Sequence, residues 1–161
     1  MALVTLALGS NLGDRAENLR RARQALAPEF LLGACSHLYE TEPAYVLDQP
    51  RYYNQVCQAT TALLPTETLQ RLKTLESTLG RVPAARFGPR LIDLDLLFYD
   101  DQVLETPELV LPHPRLAERP FVLVPLAEIA PNLVHPKLGV TVSVLLERLG
   151  DTRQAVWPVS G

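Results

Sequence analysis

Arg86-Phe87-Gly88-Pro89-Arg90-Leu91-Ile92-Asp93-Leu94-Asp95-Leu96-Leu97-Phe98-Tyr99 reads as an arginine-flanked turn running directly into a β-strand with two alternate aspartates. Side chains alternate along a strand, so Asp93, Asp95 and Leu97 are expected on one face and Ile92, Leu94, Leu96 and Phe98 on the other. The second face calls for a core. On the first, a rise of about 3.3 Å per residue puts the two aspartate Cα atoms about 6–7 Å apart, close enough to converge on one or two hard cations. Arg86 and Arg90 could make charge-assisted contacts to phosphate beside them. Solvated strand carboxylates balanced by surface arginines fit the same residues, so the pattern alone leaves both readings open.

Upstream, Met1 to Leu8 is rich in Val, Leu and Thr and ends at the turn-forming run Gly9-Ser10-Asn11-Leu12-Gly13-Asp14, which predicts a strand followed by a helix over about 14–26. Ala16, Leu19, Ala22 and Leu26 form that helix's apolar stripe. Glycines before a helix can cradle phosphate, but the Lys-Ser/Thr pair of the Walker pattern is missing, which favours a structural turn. Phe30 to Glu40 predicts one strand and Gln55 to Leu64 another, with Thr41 to Asn54 as a long loop between them. The tyrosines and Asn54 of that loop suit a flat heterocycle, read by stacking and edge hydrogen bonds; cover for a core edge suits Tyr52 and Tyr53 equally. A second helix opens at Pro65-Thr66-Glu67 with Thr66 as its expected cap, buries Leu69, Leu72, Leu75 and Leu79, and stops at Gly80. Past Tyr99, Val103 and Leu104 are expected to continue a short hairpin. His113 is presented in a proline-fixed loop, and helices are expected over about 120–129 and 140–149, with Pro125 awkward inside the first of them.

Composition bounds the partners. With 161 residues and 47% hydrophobic content, a single domain over 1–161 is expected. The net charge of -3 supplies no bulk attraction for nucleic acid or an acidic membrane, so neither is expected as a partner. No apolar run approaches the roughly 20 residues of a membrane span and no leader pattern opens the chain, so a cytoplasmic location is expected. Cys35 and Cys57 lie in no CxxC pair or zinc-ligand spacing and are expected as free buried thiols.

Gly88-Pro89-Arg90-Leu91-Ile92-Asp93-Leu94-Asp95-Leu96-Leu97 resembles the signature of the 6-hydroxymethyl-7,8-dihydropterin pyrophosphokinases of folate biosynthesis. The resemblance continues in Gly9 to Asp14, Asp48-Gln49-Pro50 with Tyr52 and Asn54, Gly80-Arg81-Val82, Leu111-Pro112-His113, and Phe121 with Pro125 to Pro131. It implies an α+β, ferredoxin-like fold with a central antiparallel sheet, helices packed on it and mobile active-site loops. It implies transfer of pyrophosphate from ATP to the pterin hydroxymethyl oxygen, releasing AMP, with two Mg²⁺ ions. By motif, Asp93 and Asp95 would hold the metals, and Arg81 and Arg90 would join them as catalytic residues on the phosphates. Lys73, Glu76, Arg81, Arg86, Arg90, Leu96, His113 and Arg119 would line the ATP site. Thr41, Pro43, Ala44, Tyr52, Asn54, Asp93 and Phe121 would hold the pterin, with Phe87 sealing the closed site. A monomer is expected, and the chain length is expected to leave any further folate-pathway activities to separate proteins.

The chain also departs from that pattern. The segment from Arg81 to Phe87 is one residue short, with Pro83 where a second loop arginine can occur; Lys73 replaces a glutamine, and Glu108 and Val110 replace arginine and threonine. No residue stands out as a general base, so positioning and metal activation of the hydroxyl are expected instead. The rival readings are a ligand-binding sensor of the same fold and a different metal-dependent phosphoryl or nucleotidyl transferase. The aromatic residues with Asn54 argue against the second.

Overall fold

The computed structural model describes residues 1–43, 48–80, 91–153 and 155–159. β1 (Ala2–Ser10) leads through α1 (Arg15–Leu26) to β2 (Phe30–Cys35) and β3 (Tyr39–Thr41), then to β4 (Tyr52–Thr61), α2 (Pro65–Thr78) and β5 (Asp93–Tyr99). β1 lies between β5 and β4, and both β2 and β3 pair with the far side of β4, every pairing antiparallel. With β2 and β3 sharing the work of one strand, this is the βαββαβ ferredoxin-like order.

β1 explains the layering. Ala2, Val4, Leu6 and Leu8 face Leu19, Ala22 and Leu26 of α1 and Leu72 and Leu75 of α2, all buried in one core. Ala7, on the opposite face, packs against a second core built from Val56, Leu97, Phe98 and the buried faces of α3 (Pro120–Ile129) and α4 (Val142–Arg148). A strand covered on both faces reads as nearly continuous hydrophobic sequence, which is why β1 alternates only loosely. Among the described residues no helix is long and apolar enough to cross a membrane.

Several expectations change here. The Phe30 to Glu40 strand is broken: Val56 N–H bonds the Ser36 hydroxyl instead of a strand carbonyl, and Gln55 Nε2 takes the Ser36 carbonyl at 2.7 Å, so the ladder is interrupted by side chains. β4 starts at Tyr52, which places Thr41, Tyr52 and Asn54 on paired strands instead of in a loop. Thr66 is not the α2 cap. Pro65 takes the first helical position, where its missing N–H costs nothing, and the Glu67 carboxylate accepts the Leu64 N–H at 2.8 Å. Val103 and Leu104 do not extend a hairpin from β5: Val103 lies in no strand, and Leu104 belongs to β6 (Leu104–Glu105), which pairs with β7 (Val110–Leu111) in a separate ribbon. Pro125 does sit inside α3, and its lack of an N–H removes the helical partner of the Phe121 carbonyl. The short strand β8 (Val156–Pro158), which pairs with β3, was not foreseen.

β5, which carries the two aspartates, is also not regular. Thr5 pairs with Phe98 and Leu6 with Leu96, so Leu97 is an extra residue, a β-bulge. Asp93, Asp95 and Leu97 keep the face expected of them, while Phe98 crosses from the face of Leu94 and Leu96 to that of Leu97.

Leu123, fully buried between α3 and the sheet, and Leu31, 70% exposed on β2, make a controlled comparison. Leu123→Ala is expected to lower the unfolding free energy by about 2–5 kcal/mol, and Leu31→Ala to change it by no more than about 0.5 kcal/mol, both measured by urea denaturation.

Candidate functional site

The pairing of β1 assembles two short rows across the sheet. Gly9 is opposite Asn54 on β4 and Asp93 on β5, and Ala7 is opposite Val56 and Asp95. Directly opposed residues share a face, so Asn54, Asp93 and Asp95 all point to the side covered by α3. Two interstrand spacings separate Asn54 from Asp93, about 10 Å. The centre of the row has to be small: a Cβ on Gly9 would lie 2.8 Å from Asn54 Oδ1 and 3.4 Å from Tyr52 Cδ1.

Asn54 is 9% exposed and its Nδ2 donates to Thr41 Oγ1 at 2.6 Å, which fixes the amide plane and leaves a carbonyl and a second N–H for other partners. The turn after β1 supports the same end of the sheet. Buried Asn11 donates through Nδ2 to Gln49 Oε1 at 3.0 Å and to the Pro50 carbonyl at 2.9 Å. Asn18 Nδ2 reaches back to Ser10 Oγ and the Leu12 carbonyl, and Asp14 caps α1 through the Glu17 N–H. These bonds occupy the Gly9–Gly13 run as a structural turn.

On the α3 side an open cleft of about 290 Å³ is lined by Glu42, Pro43, Glu118, Arg119, Pro120, Phe121 and Ala155. It brings Pro43 of the chain after β3 together with Arg119 and Phe121 at the start of α3. The Arg119 guanidinium carbon is 5.4 Å from the Phe121 ring centroid, a cation–π arrangement that orients both.

His113 is held by its own backbone and its ring. Its N–H donates to the carbonyl of the bulge residue Leu97 at 2.9 Å, and its Nδ1 accepts the Arg115 N–H at 3.2 Å. The ring proton therefore belongs on Nε2. Burial pushes its pKa down to about 4, with Arg119 and Arg115 adding to the depression and Asp93 opposing it. At neutral pH it is an uncharged Nε2–H donor near Asp93 and Arg119.

The other expected residues divide. Glu76 is 5% exposed, and its Oε2 accepts the Leu94 N–H at 2.7 Å on the open edge of β5, beside the aspartates. The Leu96 side chain lies in the core against α1 and α2, so its remaining offer to a ligand is backbone on that edge. Lys73 is exposed on α2. Ala44, Arg81, Arg86, Phe87 and Arg90 lie outside the described residues. Sequence reasoning missed the space-making role of Gly9 and the Arg115 bond that sets the His113 tautomer. A glycine next to the turn of β1 and an arginine two residues past His113 were the available signals.

Asp93 and Asp95 fit a hard divalent cation. Among the described residues no cluster of three or more His, Cys, Asp or Glu forms a complete ligand set, and two carboxylates are what Mg²⁺ takes when phosphate oxygens and water supply the rest.

Residues 5–131 match the family model for 7,8-dihydro-6-hydroxymethylpterin-pyrophosphokinase (HPPK). The chain is 43% identical over 155 residues to a 2-amino-4-hydroxy-6-hydroxymethyldihydropteridine pyrophosphokinase of Synechocystis sp., covering 95% of this chain and 78% of that protein. It is 41% identical over 139 residues to the folic acid synthesis protein FOL1 of Dictyostelium discoideum, covering 86% of this chain but spanning only 21% of that relative's length. A crystal structure of Plasmodium falciparum HPPK-DHPS with pteroate shares the fold at a TM-score of 0.76 and 15% identity, over 91% of this chain and 44% of that chain.

Two outcomes follow from the site geometry. Thr41→Val removes the buried partner of the Asn54 amide and is expected to cost about 1–3 kcal/mol in urea denaturation. For His113, the folded pKa near 4 lies below the usual 6.5, so between those values the unfolded chain binds a proton that the folded chain refuses. The unfolding free energy of the wild type relative to His113→Gln is therefore expected to be constant above that window and to fall as the pH is lowered through it. A difference that stays constant throughout would mean that the imidazole is not held neutral by the fold.

Proposed function

The chain belongs to the 7,8-dihydro-6-hydroxymethylpterin-pyrophosphokinase family, and on that premise we propose that it transfers pyrophosphate from ATP to the hydroxymethyl oxygen of 6-hydroxymethyl-7,8-dihydropterin. The observation that carries this reading is the Asn54–Gly9–Asp93 row, which sets a fixed amide and a carboxylate pair on one face at a separation of about one small heterocycle with its substituent.

In this reading the pterin lies between the rings of Tyr52 and Phe121. Asn54, with its amide fixed by Thr41, matches the donor and acceptor pattern of the pterin edge, and Pro43 closes that end of the cleft. Gly9 leaves the floor open. The hydroxymethyl group then points along the row toward Asp93. Its oxygen attacks the β-phosphorus of ATP, the bond from that phosphorus to the α,β-bridging oxygen breaks, AMP departs, and the hydroxyl proton is lost.

Asp93 and Asp95 would hold two Mg²⁺, which when bound supply charge neutralisation for the phosphates and acidify the hydroxyl. Arg119 brings a permanent positive charge to the nucleotide side, and neutral His113 donates through Nε2–H without repelling Arg119. Glu76 and Leu96 define the β5 edge, where a purine could bond to backbone groups, with Lys73 nearby on α2. Arg81, Arg86 and Arg90 are proposed to complete the phosphate contacts, and Phe87 the closure. The whole chain is proposed to act as one domain, as a cytoplasmic monomer.

The test is incubation with ATP, Mg²⁺ and 6-hydroxymethyl-7,8-dihydropterin. Equal amounts of AMP and pterin diphosphate are expected; ADP as product, or ATP binding without turnover, would overturn the reading in favour of another transferase or a sensor. Asp95→Ala is expected to reduce turnover by at least about 100-fold, since losing only a group that supports a metal ligand already costs about 10–100-fold. Its circular dichroism and urea midpoint are expected to stay near those of the wild type.

A further inference from the structure

Cys35 and Cys57 are the two cysteines of the chain, and the fold places them opposite each other. Cys57 is fully buried in β4, and Cys35, at the end of the edge strand β2, is half-buried. The register matters. The Ser36 N–H donates to the Val56 carbonyl at 2.8 Å, so Ser36 and Val56 occupy a hydrogen-bonded position, and the neighbouring pair Cys35 and Cys57 occupies a non-hydrogen-bonded one. Opposed Cα atoms there are about 4.5 Å apart, within the range of about 4.4–6.8 Å that a disulfide spans. Both side chains point to the core beneath α1, where Cys35 packs against the cluster that contains Cys57.

We propose that Cys35 and Cys57 form a reversible cross-strand disulfide, with a peroxide as the oxidant and Cys35 as the thiol that reacts first. The division of labour follows from exposure and charge. The neighbouring Cys57 thiol holds the Cys35 thiol down to about 7, with Arg23 of α1 assisting, while Cys35 and burial push Cys57 up. The accessible sulfur is the one that becomes a thiolate.

The chemistry balances in two steps. The Cys35 thiolate attacks one oxygen of hydrogen peroxide; the O–O bond breaks, hydroxide leaves, and Cys35 becomes a sulfenic acid. Cys57 sulfur then attacks Cys35 sulfur, the S–O bond breaks, and the hydroxyl leaves with the Cys57 proton as water. Two thiols lose two electrons, and one peroxide is reduced to two waters.

The bond would close a covalent loop over residues 35–57, which contains Thr41, Pro43, Tyr52 and Asn54. Oxidation would thus pin both ends of the segment that forms the pterin side of the cleft. The inference rests on the β2–β4 register and stands or falls independently of the pyrophosphokinase reading.

The experiment treats the full chain with hydrogen peroxide and maps it by mass spectrometry after non-reducing digestion. The expected result is a Cys35–Cys57 linked peptide, a loss of two hydrogens from the intact mass, and reversal by dithiothreitol. Cys57→Ala, which keeps the core apolar, is expected to stop at a Cys35 sulfenic acid trapped by dimedone, and Cys35→Ser to give neither product. Dimers linked through Cys35, or accumulation of Cys35 sulfinic acid in the wild type without a linked peptide, would overturn the proposal.

Discussion

The two-sided pairing of β1 is the constraint from which the rest of the molecule follows. Its even-numbered residues from Ala2 to Leu8 anchor α1 and α2, Ala7 on the opposite face packs into the core with α3, and its hydrogen bonds align β4 on one side with β5 on the other. A shift of one residue in either pairing would turn every side chain of the shifted strand to the opposite face. Asn54 or the two aspartates would then face the core beneath α1 and α2, where an unpaired charge is costly. The same burial that stabilises the sheet therefore also holds the candidate site in register.

The bulge at Leu97 reconciles two demands on one strand. Leu94 and Leu96 must fill the first core, yet Phe98 is needed in the second, beside Leu123 and Leu126. An extra residue lets β5 change face after the aspartates have been placed. It also directs the Leu97 carbonyl to the His113 N–H, so the strand irregularity fixes the loop carrying the neutral imidazole. A regular strand would offer neither.

Polar support around the site is graded by burial. Thr41, Asn54, Asn11 and Glu76 are nearly or fully buried, and the bonds described for them link backbone or side chains of separate elements, so each satisfies a desolvated group while tying those elements together. The more exposed ion pairs, such as Arg153 with Asp151 and Lys137 with Glu105, are not among the residues that line the cleft and contribute little to stability.

Local sequence determined much of this. The aspartate alternation, the helical stripes of α1 and α2 and the turn at Gly9–Asp14 each depend on neighbours within a few residues, and they appear where the spacing placed them, except that Ala16, at the solvent end of the expected α1 stripe, is exposed. The ordered motifs likewise carried the ferredoxin-like fold and the family. What only the tertiary structure decided depends on partners far along the chain. Tyr52 and Asn54 looked like loop residues because their strand pairing comes from β1 and β3, and Phe98 changed face because β1 cannot serve two cores with a regular neighbour. β8 is three residues long and exists because β3 offers it an open edge. Cys35 and Cys57, unremarkable at a separation that no short motif recognises, became an opposed pair only when β2 folded back along β4. Periodicity records which face a residue prefers; the residue across from it is set by long-range register, and that is where this site is built.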